Sequence, residues 1–114
     1  MLSVKYTPMQ YYDAIIIRFM GDDGSVHNIF VDGGNINSRK FCYTGRLKKE
    51  LEFLFSMGES IDLWIITHID NDHIGGLYNF INDTDFFETH HEQLKEVWMN
   101  YGGKGDYEIK RTGT

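Results

Sequence analysis

The chain has 114 residues, 41% of them hydrophobic and 25% charged, with a formal net charge of −6. That is one domain's length with room for a core, in the composition of an ordinary globular protein. The acidic balance excludes a broad electrostatic footprint for nucleic acid, although bound metal ions would supply positive charge locally to a polyanionic substrate.

The single Cys42 excludes an internal disulfide and fits a reducing compartment. The segment from Met1 to Tyr12 has neither a basic stretch nor a long apolar one, and apolar runs such as Ala14 to Ile17 are far too short to span a bilayer. The expectation is a cytoplasmic protein with no membrane partner.

In chain order, Leu2, Val4 and Tyr6 alternate with polar residues and predict an opening strand. Asp13 to Met20, dense in β-branched residues, predicts a second. The turn cluster Gly21-Asp22-Asp23-Gly24-Ser25 then returns the chain through His27 to Val31, an antiparallel hairpin ending at Asp32-Gly33-Gly34. Thr44 can cap a helix, and Leu47, Leu51, Leu54 and Phe55 follow on one face, so a helix is expected over residues 44–57 with Gly58 to stop it. Lys48, Lys49, Glu50 and Glu52 fall on its wet side.

The nearly all-apolar run from Ile61 to Ile66 predicts an interior strand over 61–67, covered on both faces. A short helix is expected over 74–81, broken by Asn82-Asp83-Thr84-Asp85. A strand over 94–99 and a loop from Gly102 to Gly105 complete the chain. This order of elements is a layered α/β arrangement, in which ligands collect where strands end; Asp32 and His68 both lie at such ends. Asp13, His27, His90 and His91 read as structural or surface residues. Phe53, Phe55, Trp64, Tyr78, Phe80, Phe86, Phe87 and Trp98 read as core and interface.

The stretch Thr67-His68-Ile69-Asp70-Asn71-Asp72-His73-Ile74-Gly75-Gly76 carries the chemistry. Two imidazoles and two carboxylates within six positions are the donor set of a divalent metal. If the chain leaves its strand extended, residues 68, 70 and 72 project to one side, and the onset of a helix turns His73 toward the same place. The two glycines let that first turn crowd against a neighbouring strand. Four ligands exceed what one ion requires from a single short loop, so two adjacent sites over the loop 68–76 are expected. Helix capping would account for one aspartate, but not for two histidines and two glycines as well.

These residues resemble the H-x-H-x-D-H-x-G-G signature of the metallo-β-lactamase-fold hydrolases, with Asp70 where most members have histidine. The resulting H-x-D-x-D-H form is similar to the branch containing competence-type DNA-uptake proteins and nuclease-like members. Ile29-Phe30-Val31-Asp32-Gly33-Gly34 is similar to the strand ending in hydrophobic-Asp-x-Gly that precedes the motif in this fold. Gln10 to Ile16 is similar, more loosely, to that branch's strand entry. The resemblance covers roughly residues 1–83.

It implies the N-terminal half of an αββα sandwich, a mixed sheet with two helices on one face. It places His68 and Asp70 on a first metal and Asp72 and His73 on a second, with Asp32 holding the loop and not ligating. Zinc is the expected ion, with manganese or iron in competition. Nothing after Asn82 matches the family's remaining ligand motifs, so a C-terminal half of the domain or a partner chain is expected to complete the sandwich.

The activity implied is metal-dependent hydrolysis by a bridging hydroxide, with Asp72 orienting the nucleophile. An oxygen ligand at Asp70 hardens the first site and shifts the expected substrate toward a small-molecule or nucleic-acid phosphodiester. Two alternatives stand beside the hydrolase: a non-catalytic interaction module with an incomplete site, and a homodimer of half-domains.

Overall fold

The computed structural model describes residues 2–7, 14–34, 39–68, 73–100 and 106–109. Six strands form one sheet in sequence order: β1 Leu2–Thr7, β2 Ala14–Met20, β3 Val26–Val31, β4 Leu63–Ile66, β5 Val97–Asn100 and β6 Asp106–Ile109. The β1–β2, β2–β3 and β5–β6 pairs are antiparallel, whereas β3–β4 and β4–β5 are parallel. The sheet is mixed because only the two parallel steps need long crossovers. Those crossovers carry the helices: a π-helical stretch Arg39–Leu47 running into α1 Lys48–Ser56, then α2 Gly75–Ile81 and α3 Thr84–His90.

Register explains where the core sits. Ile16, Phe30, Trp64 and Val97 are direct cross-strand neighbours in a row over four strands, and all are buried. Tyr43, Leu47, Leu51, Leu54, Phe55, Leu77 and Phe80 close over that row from the helices, in a single cluster. Fully burying each such side chain contributes about 1.5–3 kcal/mol. The next row, Ile15, Val31, Ile65 and Trp98, points to the opposite face. There the first three are only half-buried and Trp98 is 44% exposed. The helices therefore cover one face of an α/β layer, and the other stays open among the described residues.

Several expectations shift. Thr44 caps nothing: it lies exposed inside the π-helical stretch, which begins before it. Tyr43 and Leu47, one turn apart and both fully buried, anchor that stretch on the core, and such packing overrides a local capping preference. The stripe Leu47, Leu51, Leu54 and Phe55 is the buried face, and Gly58 closes the helix with φ +77.

Asn82-Asp83-Thr84-Asp85 is no loop: Asn82 and Asp83 make a tight joint between two helices, and Thr84 and Asp85 begin the second. Phe86 and Phe87 on α3 pack edge-on against Phe80 with ring centroids 5.7 and 5.1 Å apart. The Asp83 carboxylate accepts from Tyr43 Oη at 3.0 Å and pairs with Lys48 Nζ at 2.7 Å, tying the joint to the preceding helices. β4 is shorter than expected, with Ile61 forming only an isolated bridge to Leu94, and it is covered on one face because Leu63 and Ile65 are half-buried. The strand expected at 94–99 begins at Val97, and β6 was not expected at all. Phe53 and Tyr78 are exposed and belong to no core. Asp13, Gln10 to Tyr12, the side chain of Cys42 and the 102–105 loop lie outside the described residues.

Candidate metal centre

The parallel strands β3 and β4 end side by side, and both chains turn there. Asp32 N donates to Ile65 O at 2.8 Å, and the indole N–H of buried Trp64 donates to Asp32 O at 2.9 Å. Between these anchors Asp32 adopts φ +59, a left-handed conformation that aspartate tolerates better than most residues and that costs on the order of 1 kcal/mol. The turn aims its buried carboxylate across the gap at the segment leaving β4. Asp32 Oδ1 accepts from Thr67 N at 2.8 Å; Oδ2 accepts from Thr67 Oγ1 at 2.7 Å and lies 3.1 Å from His73 Nδ1.

Glycine makes the approach possible on the other side. Gly75 N donates to Gly34 O at 2.9 Å, and a Cβ on Gly33 would lie 2.7 Å from Gly76 Cα. A Cβ on Gly76 would lie 2.9 Å from both Gly33 Cα and Gly33 O. The crowding expected at the glycine pair therefore occurs, and it falls on Gly76 against Gly33. It holds the first turn of α2 against the end of β3, and with it His73.

The result is convergence of the two imidazoles: the His68 and His73 ring centroids are 4.8 Å apart, with planes tilted by 38°. His68 is exposed and His73 half-buried, so the pair opens to solvent at the carboxyl end of the parallel strands. Asp70 and Asp72 lie outside the described residues, and among the described residues no group of three or more histidine, cysteine or acidic side chains is gathered. Two neighbouring imidazoles steadied from behind by a carboxylate and a hydroxyl fit a divalent ion's donor chemistry.

Thr67 is the residue that the sequence reading passed over. Its hydroxyl also lies 3.1 Å from His68 Nδ1, so it touches both Asp32 and the first histidine. Its signal in sequence was only its place directly before that histidine. His90 and His91 are elsewhere: His90 stacks on Phe55 at 4.7 Å and meets Gln93 Oε1 at 2.8 Å, and His91 lies against Phe87.

A second polar cluster lies toward the opposite ends of β3 and β4. His27, expected to be an ordinary hairpin residue, sits between Asp62 Oδ1, 3.0 Å from Nδ1, and Asp23 Oδ1, 3.1 Å from Nε2. These hydrogen bonds, Asp62's foremost, raise the His27 pKa. The Ser25 amide, followed by His27, lowers the Asp23 carboxyl to about 2.

The chain is thus a mixed-sheet α/β layer whose parallel strands bring two imidazoles beside a buried aspartate. The chain belongs to the metallo-β-lactamase superfamily, whose family model matches residues 29–112. Members of that superfamily are typically hydrolytic metalloenzymes that bind divalent metals such as zinc. The match runs past the expected limit near residue 83 and takes in the stretch from Ile29 to Gly34 that carries Asp32, while Gln10 to Ile16 fall outside it. No curated protein and no solved structure matched the chain. Among the described residues no helix is long and apolar enough to cross a membrane.

Proposed function

We propose that this chain carries the principal ligand loop of a metal-dependent phosphodiester hydrolase, in the nuclease-like H-x-D-x-D-H branch of its superfamily. The observation that supports it most is the approach of the His68 and His73 rings to 4.8 Å over the Asp32 carboxylate. His68 and Asp70 would hold the first ion, Asp72 and His73 the second, and Asp32 the loop that presents them. Zinc is the leading candidate, with manganese and iron in competition. When bound, such a pair of ions supplies hydroxide near neutral pH and offsets charge on the attacked group. Asp72 orients the nucleophile. Asp70 supplies oxygen where most members supply nitrogen, and a harder site of that kind favours phosphate oxygens over lactone or thioester carbonyls.

The open sheet face belongs to the same reading. Ile15, Ile17, Ile29, Val31, Leu63 and Ile65 are half-buried there and Trp98 is exposed, an apolar surface of the kind that marks an interface. A C-terminal half of the domain would cover it in the complete enzyme. In the alternatives, a partner chain would cover it in a non-catalytic interaction module and a second copy would cover it in a homodimer of half-domains; sedimentation of the isolated chain distinguishes a dimer from a monomer.

Turnover of phosphodiester, lactone and thioester substrates under zinc and under manganese tests the chemistry. Phosphodiester cleavage is expected, abolished in Asp72→Ala with the unfolding midpoint unchanged. Preferential lactone or thioester turnover would reverse the substrate assignment, and retained turnover in the variant would remove Asp72 from the mechanism.

A further inference from the structure

We infer that the Thr67 hydroxyl is a positioning residue that fixes the tautomer of His68, through a directional hydrogen-bond chain shared with Asp32 and His73. The inference deepens the metal-site reading and rests on it for its purpose, though not for its geometry.

The direction follows from donor and acceptor counting. A carboxylate only accepts, so the single proton of Thr67 Oγ1 goes to Asp32 Oδ2 at 2.7 Å. Having given its proton away, the hydroxyl can meet His68 Nδ1 at 3.1 Å only as an acceptor, and His68 must carry its proton on Nδ1. The same carboxylate oxygen meets His73 Nδ1 at 3.1 Å, which places that ring's proton on Nδ1 as well. Both imidazoles then present the Nε2 lone pair outward, as neutral histidine must to ligate a metal.

His73 takes this orientation directly from a carboxylate. His68 is exposed and takes it at second hand, through one hydroxyl. Asp32 is fixed for the task from three sides: its backbone N–H on Ile65 O, its carbonyl on the Trp64 indole, and its Oδ1 on the Thr67 amide. Thr67 is thus the point where the buried order of the β3–β4 edge reaches the solvent-facing ligand.

The test compares Thr67→Val, which keeps the β-branched shape and the backbone bond to Asp32 but loses the hydroxyl, with Thr67→Ser, which restores it. Nitrogen-15 NMR of the metal-free chain, at a pH where the rings are neutral, reads the tautomers directly. In the wild type and in Thr67→Ser, His68 and His73 are expected as Nδ1–H. In Thr67→Val, His68 alone is expected to revert toward the Nε2–H form that histidine favours in water. Cobalt titration against a competing chelator should show affinity about 10–100-fold weaker in Thr67→Val and close to wild type in Thr67→Ser.

An unchanged His68 tautomer in Thr67→Val, or loss of the Nδ1–H signals of both rings together, would overturn the inference. A wild-type chain that takes up no cobalt would overturn the metal-site reading instead and leave the tautomer result standing.

Discussion

Replacing Gly76 with alanine tests how the ligand loop is seated. Alanine is favoured over glycine inside a helix by up to about 1 kcal/mol, so on propensity alone the change would stabilise α2. The structure opposes it. The new methyl would lie 2.4 Å from Leu47 Cδ2 and 2.9 Å from both Gly33 Cα and Gly33 O. Leu47 is fully buried and has little room to turn, and Gly33 is backbone, tied into the turn that sets Asp32. Overpacking of this kind costs about 1–3 kcal/mol, and two backbone contacts place Gly76→Ala at the upper end. After the helix gain, a net loss of about 2 kcal/mol is expected, read as a lower denaturant midpoint at constant slope. Leu47→Ala in the same background removes only the side-chain part of the clash, so the two changes should couple and not add. A Gly76→Ala chain as stable as the wild type, or more stable, would refute the close approach of α2 to β3.

His27 is expected to make stability depend on pH. Its pKa is raised by Asp62 and then by Asp23, so its contribution is complete below the ordinary value of about 6.5 and fades as pH rises through the folded value. Unfolding midpoints should therefore fall as pH rises past that ordinary value in the wild type and stay flatter in His27→Gln; identical profiles would refute the pairing of His27 with Asp62 and Asp23. Asn28 is buried and its amide donates to Glu59 Oε1 at 3.1 Å and Ser60 O at 3.0 Å. Asn28→Ala should cost about 2 kcal/mol in chemical denaturation, the loss of two part-buried hydrogen bonds, and a change under half that would show the bonds to be replaced by solvent.

Much of the architecture was legible because period and punctuation agreed. The β-branched density of β2, the glycine-aspartate turn between it and β3, and the 47–51–54–55 stripe each had one sensible reading. The doubled glycine announced a close approach, and the structure supplies its partner in Gly33. What stayed hidden was decided by packing at a distance. α3 follows a cluster of turn residues, and only the docking of Phe86 and Phe87 on Phe80 makes that cluster a joint between helices. The helical start ahead of Thr44 is set by buried Tyr43 and Leu47, against the local preference of Thr44 as a cap. At the site, composition marked His68 and His73, but no spacing rule could show that a left-handed Asp32 would reach both His73 and the hydroxyl of Thr67. Leu63 and Ile65 looked fully interior because an apolar run cannot say whether its second face is covered by the same layer or awaits another.

Metal uptake by the loop is the most direct measurement. Purified without chelator and titrated with zinc, the chain should bind about one divalent ion per molecule, and a His68→Ala/His73→Ala double variant should bind none while keeping its fold. A wild-type chain that binds no ion, or a double variant that binds as the wild type does, would contradict the account.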